Sequence, residues 1–161
     1  MILIADSSAL IALAICDGLQ YLEPLYGGVL VPDAVYSEVT KAEKAESVKL
    51  RGYLKGRTRT VDTTNYVYLD AFADRGETEA MLLYKQIRAD TLLIDDRRGR
   101  KIAQLNGIKI VGSMGVLLAA KKRGLLTQIA PVLDRLSNSR VFIDPSLIRT
   151  VLELAGEAIG E

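Results

Sequence analysis

The hydrophobic positions of this chain fall into short unbroken runs separated by longer amphipathic stretches. Residues 1–5, MILIA, are apolar throughout, the pattern of a strand buried on both faces. GVLV at 28–31, TLLI at 91–94 and KIV at 109–111 repeat it, and 58–62 reads as a further short strand. Between these runs the pattern changes to helical. Ser7 or Ser8 can cap a helix that continues to about Asp17, with Gly18 as its stop. A short helix covers 19–26. Pro32 begins the next one, PDAVYSEVTKA, in the first turn, where a missing N–H costs nothing. Residues 44–56 are helical but polar, GETEAMLLYKQIRA predicts a helix over about 76–89, and RRGRKIAQLNG predicts another ended by its glycine. The last helices are expected at 114–123, 127–137 and 145–158. Four or five short strands alternating with helices predict an α/β fold with a parallel sheet covered on both faces. No repeat, linker or low-complexity stretch divides the chain, so one domain is expected over 1–161, with its core at about 1–125 and C-terminal helices at 127–158.

Composition narrows the chemistry more than it suggests partners. A net charge of +1 on 161 residues implies no partner by itself. The chain has no histidine, which excludes Ser-His-Asp triads, Cys-His pairs, His-based metal motifs and histidine acid–base ribonuclease chemistry. The single cysteine, Cys16, lies inside the apolar run ALIALAIC and reads as a buried structural thiol in a reducing compartment. No segment has the apolar length of a membrane span, and the N-terminus lacks a basic leader, so a cytoplasmic protein with no membrane role is expected.

What remains is carboxylate chemistry. Asp6 ends the first strand, and Asp95 and Asp96 end TLLI. In open parallel sheets, sites form outside the carboxyl ends of the strands, where the strand order reverses. Glu38 shares a helical face with Val35 and roughly with Ala34, a face expected to look inward. Glu77 continues the stripe of Ala80, Tyr84 and Ile87, at offsets of three, seven and ten, whereas Glu79 is turned about half a revolution away. Helix capping or solvation accounts for each acid singly; their shared placement is harder to explain that way. Crowded carboxylates cannot all stay ionised in a dry cleft without a compensating cation. An oxygen-only donor set favours Mg²⁺ or Mn²⁺ over zinc, and such sites commonly hydrolyse phosphodiesters.

Taken in order, Asp-Ser-Ser after the first strand, Pro-x-x-Val-x-x-Glu-Val after the second, Gly-Glu-x-Glu-Ala opening a helix and Ile-Asp-Asp-Arg-Arg after a later strand resemble the PIN-domain family, in particular a prokaryotic branch related to the VapC-type toxins. The resemblance covers roughly residues 1–125. It implies a three-layer α/β/α sandwich with a central parallel sheet and a Mg²⁺- or Mn²⁺-dependent ribonuclease. By position it makes Asp6, Glu38, Glu77 and Asp95 or Asp96 the metal ligands. It makes Ser7 a polar residue supporting them, joined by Ser113 after the last strand, with Glu79 competing with Glu77 as the third acid. It also brings an antitoxin protein into view as a candidate partner.

Basic residues are clustered: five at 49–59, four in RRGRK at 97–101 and three in KKR at 121–123. Arg97, Arg98, Arg100 and Lys101 begin where the acids end, which makes them the best candidates for phosphate contacts with an RNA substrate. Aromatics are too scattered to predict a stacking platform. The apolar residues of 8–26 are too many to face a single sheet, and an exposed patch there predicts a homodimer. The rival reading is a non-catalytic nucleic-acid-binding or partner-binding module that keeps the fold; metal-dependent RNA cleavage separates the two.

Overall fold

The computed structural model describes residues 1–62 and 74–157. Its strands are β1 (Ile2–Ala5), β2 (Gly28–Pro32), β3 (Thr58–Arg59), β4 (Thr91–Leu93) and β5 (Ile110–Val111). They form one parallel sheet in the order β3-β2-β1-β4-β5. The described helices are α1 (Ser7–Ile15), α2 (Leu22–Tyr26), α3 (Asp33–Thr40), α4 (Ala45–Tyr53), α5 (Arg75–Ile87), α6 (Arg97–Leu105), α7 (Ser113–Lys122), α8 (Ala130–Ser137) and α9 (Pro145–Leu154), with a 3₁₀ turn at Leu19–Tyr21 before α2.

Alternation within the apolar strands divides the core in two. Leu3, Ala5, Val29, Val31 and Leu93 pack against residues of α1, α3, α4, α7, α8 and α9. Ile4, Leu92 and Ile94 face the other way, onto α5 and α6. Successive strand residues point to opposite faces, so a strand with helices on both sides must be apolar at every position. This is why the runs are unbroken, and the layers are α/β/α. Each Val, Leu or Ile side chain among them contributes about 1.5–3 kcal/mol on burial.

Strand order places the site. The chain runs from β1 outward to β2 and β3, then returns to lay β4 on the opposite side of β1. The order therefore reverses between β1 and β4. Their carboxyl ends are tied there by the Asp6 N–H, which donates to the Leu93 carbonyl at 2.9 Å.

Several boundaries move. Neither Ser7 nor Ser8 caps the first helix; Asp6 occupies the cap position without a capping side-chain bond. Pro32 closes β2 and stands just before α3 rather than inside its first turn. The last helix ends at Leu154, and position 158 of the expected range lies outside the described residues. The apolar surface expected on 8–26 is packed in part within the chain and stays half-exposed in part. Leu10, Leu13, Ala14 and Leu22 are buried, while Ile11, Ile15, Leu19, Tyr21 and Leu25 are half-buried against the same core, which includes residues of α7, α8 and α9. Among the described residues, no helix is long and apolar enough to cross a membrane.

Candidate active site

Asp6 follows the last residue of β1 and is only 4% exposed. The buried strand beneath it leaves the carboxyl little water. Burial pushes its pKa up to about 7; the Ser7 backbone amide opposes the shift, and the nearby Glu77, Asp74 and Glu38 carboxylates add to it.

Glu77 reaches the same place from α5. The sequence DRGE builds a capping box at its start: the Glu77 N–H donates to Asp74 Oδ1 at 2.7 Å, and Glu77 Oε2 accepts the Asp74 N–H at 3.3 Å. With the main chain held, the Glu77 side chain is 5% exposed. Its pKa is raised to about 7, first by burial and then by the charge of Asp74, with neighbouring Asp96 raising it further. Asp96 also caps α6, accepting the Gly99 N–H at 2.8 Å. Gly99 is needed for close approach: a Cβ there would lie 3.1 Å from the Glu77 carboxyl carbon and 2.7 Å from Ile94 Cδ1.

Glu38 comes from α3 and corrects one expectation. The buried residues of that helix are Val35 and Val39, and Glu38 is exposed at the rim of the site rather than facing the core. The Ser7 hydroxyl donates to Glu38 Oε2 at 2.8 Å, which links the first turn of α1 to α3. Glu38 Oε2, Asp74 Oδ1 and Asp6 Oδ1 lie 3.0, 3.5 and 3.6 Å from the point where a Gly76 Cβ would stand. Three carboxylate oxygens from three elements thus surround one small volume, kept open by a glycine.

The structure therefore brings together Asp6, Glu38, Glu77 and Asp96, and it adds Asp74. The signal for Asp74 was present as the D-x-x-E spacing of a capping box, but cap chemistry carries no information about what else the carboxylate meets. Asp95 turns toward the start of α7, where the Ser113 N–H and hydroxyl donate to its two oxygens, each at 2.7 Å. Ser113→Ala should lower stability by about 1–3 kcal/mol, the range for a hydrogen bond to a charged, partly buried group. Chemical denaturation at pH 7 measures it. Glu79 is committed elsewhere: it accepts the Ala34 N–H at 3.2 Å, at the start of α3, and pairs with Arg75 at 3.6 Å. On the first turns of α6, Arg97, Arg98 and Lys101 are exposed, and half-buried Arg100 donates to the Ile94 carbonyl at 3.0 Å.

Among the described residues, no three His, Cys, Asp or Glu side chains are already closed around one point as metal ligands. The donor set nevertheless fits a hard divalent cation in chemistry and in direction. Its side-chain donors are carboxylate oxygens, they converge on the sheet edge, and two buried members hold protons more tightly than ordinary carboxyls do. A family model described as a PIN domain matches residues 2–157. No curated protein gives a significant match.

Proposed function

The chain belongs to the PIN-domain family, whose fold is of nuclease type, and from that membership we propose that it is a Mg²⁺- or Mn²⁺-dependent endoribonuclease. The observation that carries the proposal is the convergence of Asp6, Glu38, Asp74, Glu77 and Asp96 on the reversal point of the sheet, with the buried Asp6 carboxyl held near pKa 7. Carboxylates this crowded are a structural liability, since burial and mutual repulsion both disfavour their charged forms. Their concentration at one edge makes sense as a cation site.

In this reading Asp6 and Glu77 are the inner ligands, carried on a strand end and a capped helix start that cannot easily move. Asp96 and Glu38 complete the set from opposite sides, and Asp74 adds charge while holding Glu77 in place. Ser7 orients Glu38; Ser113 orients Asp95. A bound divalent ion supplies positive charge where the phosphate gains negative charge and lowers the pKa of water. With no histidine in the chain, the remaining proton transfers fall to carboxyl groups and water. Arg97, Arg98, Arg100 and Lys101 stand beside this edge as phosphate contacts.

The toxin half of a toxin–antitoxin pair, acting in the cytoplasm as a homodimer with an antitoxin protein as partner, is the biological setting we propose. Light scattering of the pure chain, dilute and concentrated, tests the dimer. The decisive assay incubates purified protein with a mixed RNA pool and with DNA, in Mg²⁺, in Mn²⁺ and in EDTA. Internal cleavage of RNA with either ion and none in EDTA is the expected outcome. Intact RNA under every condition, with RNA still bound, identifies a binding module instead.

A further inference from the structure

A cleft of about 380 Å³ opens between the first turns of α3 and α5. Asp33, Ser37 and Glu38 line it from α3, and Asp74, Arg75 and Gly76 line it from α5. Its inner end is the acid cluster itself: Glu38, Asp74 and Asp6 each place an oxygen within 3.6 Å of the point where a Gly76 Cβ would stand. Arg75 is the one cation among these lining residues. Local structure does not call for it. The free N–H groups of a helix's first turn make that end positive, so acidic side chains suit it and arginine does not. Nor does Arg75 neutralise the cluster. Among the described residues its ion pair is with Glu79, at 3.6 Å, beyond hydrogen-bond reach, and the arginine side chain stays 84% exposed. Exposed pairs of this spacing hold little. The other Glu79 oxygen accepts the Ala34 N–H at 3.2 Å, which brings Arg75 to the lip of the cleft, beside the start of α3.

We propose that Arg75 is a substrate-binding residue whose guanidinium takes a phosphate next to the one being cleaved, on the α3 side of the acids. The inference rests on the ribonuclease reading and adds to it the path of the substrate across the site. A cleft otherwise lined by carboxylates repels a polyanion, and a guanidinium at its lip offers two parallel N–H donors that match phosphate oxygens. Its place in the fold matters as much as its charge. β2 and β4 flank β1, so α3 and α6, which follow them, begin on opposite sides of Asp6. The basic residues of α6 stand on one side. Arg75 stands on the other, where α5 packs on α3 and β2. A chain held at both places crosses the acids with a phosphodiester bond in its middle, as internal cleavage requires.

The test compares Arg75→Gln, Arg75→Lys and Glu79→Gln in two measurements. One is steady-state cleavage of an oligoribonucleotide in Mn²⁺; the other is binding of the same oligonucleotide, fluorescein-labelled, in EDTA, where metal-dependent cleavage does not consume it. Arg75→Gln should raise KM about 10- to 100-fold, the range for one hydrogen bond between charged groups, and leave kcat within a few-fold. It should weaken binding by a similar factor and flatten the log–log salt slope by about 0.7. Arg75→Lys keeps the charge and loses the fork, so it should recover the salt slope but only part of the affinity. Glu79→Gln should leave KM and affinity near those of the wild type. Unchanged KM and affinity in Arg75→Gln, with wild-type cleavage intact, overturns the inference and leaves the ribonuclease reading standing. An equal rise in KM in Glu79→Gln also overturns it, because Arg75 would then act only as a brace for α3. Tighter Mn²⁺ binding by Arg75→Gln with RNA affinity unaltered would make the residue a counter-charge for the acids, again against the inference. A wild-type chain that does not cut RNA removes both readings.

Discussion

Asp6→Asn is expected to abolish the proposed metal-dependent RNA cleavage and at the same time to raise the melting temperature of the metal-free protein at pH 8. The two effects have one cause. Folding raises the Asp6 pKa from 3.8 to about 7, so the folded state binds this proton more tightly than the unfolded chain does. The stabilisation from the bound proton is complete below about pH 4 and is lost as pH rises through 7. At pH 8 the metal-free wild type then carries a buried charge that disfavours the fold by an upper bound of about 4 kcal/mol, at 1.36 kcal/mol per pKa unit. Asparagine keeps the shape and removes the charge. Thermal melts in EDTA should show wild-type stability falling from pH 5 to pH 8 and a flatter profile in Asp6→Asn, which should melt about 5–15 °C higher at pH 8. Cleavage in Mn²⁺ should drop at least about a hundredfold, since an ion's charge stabilisation is worth several kcal/mol at the transition state. Wild-type cleavage by the variant would sink the metal-site reading. An unaltered pH profile of stability would instead show that Asp6 is not the titrating group.

The second large effect separates two glutamates that sequence places only two positions apart. Glu77→Gln should cost at least about a hundredfold in cleavage, whereas Glu79→Gln should stay within a few-fold and lower stability by about 1 kcal/mol. Glu77 is buried against Asp96 and inside the field of Asp6. Glu79 holds the first turn of α3 through the Ala34 N–H and has Arg75 beside it. Its carboxylate serves packing between helices. Kinetics of the two variants in Mn²⁺, with urea denaturation of each, provide the comparison. The double variant Asp6→Asn/Glu77→Gln should lose little more activity than either single one, because both remove ligands of one unit. Greater damage from Glu79→Gln would transfer the third ligand to that residue.

Local pattern was enough to determine the layers and the order of elements. The strands at 1–5, 28–31, 91–94 and 109–111 were visible as apolar runs because parallel strands between two helical layers have no solvent face, whereas β3, a polar pair at the sheet's edge, carries no such run. Glu77 could be assigned to an inward stripe because its own helix supplies the reference residues, Ala80 and those beyond it. Asp6, Asp95 and Asp96 were legible as acids at strand ends, which is a statement about position along the chain alone.

What each carboxylate meets was decided only by the tertiary structure. Asp95 and Asp96 are adjacent in sequence, yet one is bound by Ser113 on α7 and the other leans on Glu77 across α6. Successive side chains at a strand end diverge, and nothing local says which neighbour lies on each side. Glu38 shares a face with Val35 by spacing, but α3 turns its Val35–Val39 edge to the core and leaves Glu38 at the rim, close enough for Ser7 to reach. Asp74 joins the site because capping α5 happens to bring it against Asp6. The apolar helices at 8–26 pack in part on α7 and α8, which lie about a hundred residues further along the chain. Hydrophobic periodicity reports which side of an element is apolar. Which partner buries that side is set by long-range packing, and the site is made of such long-range meetings.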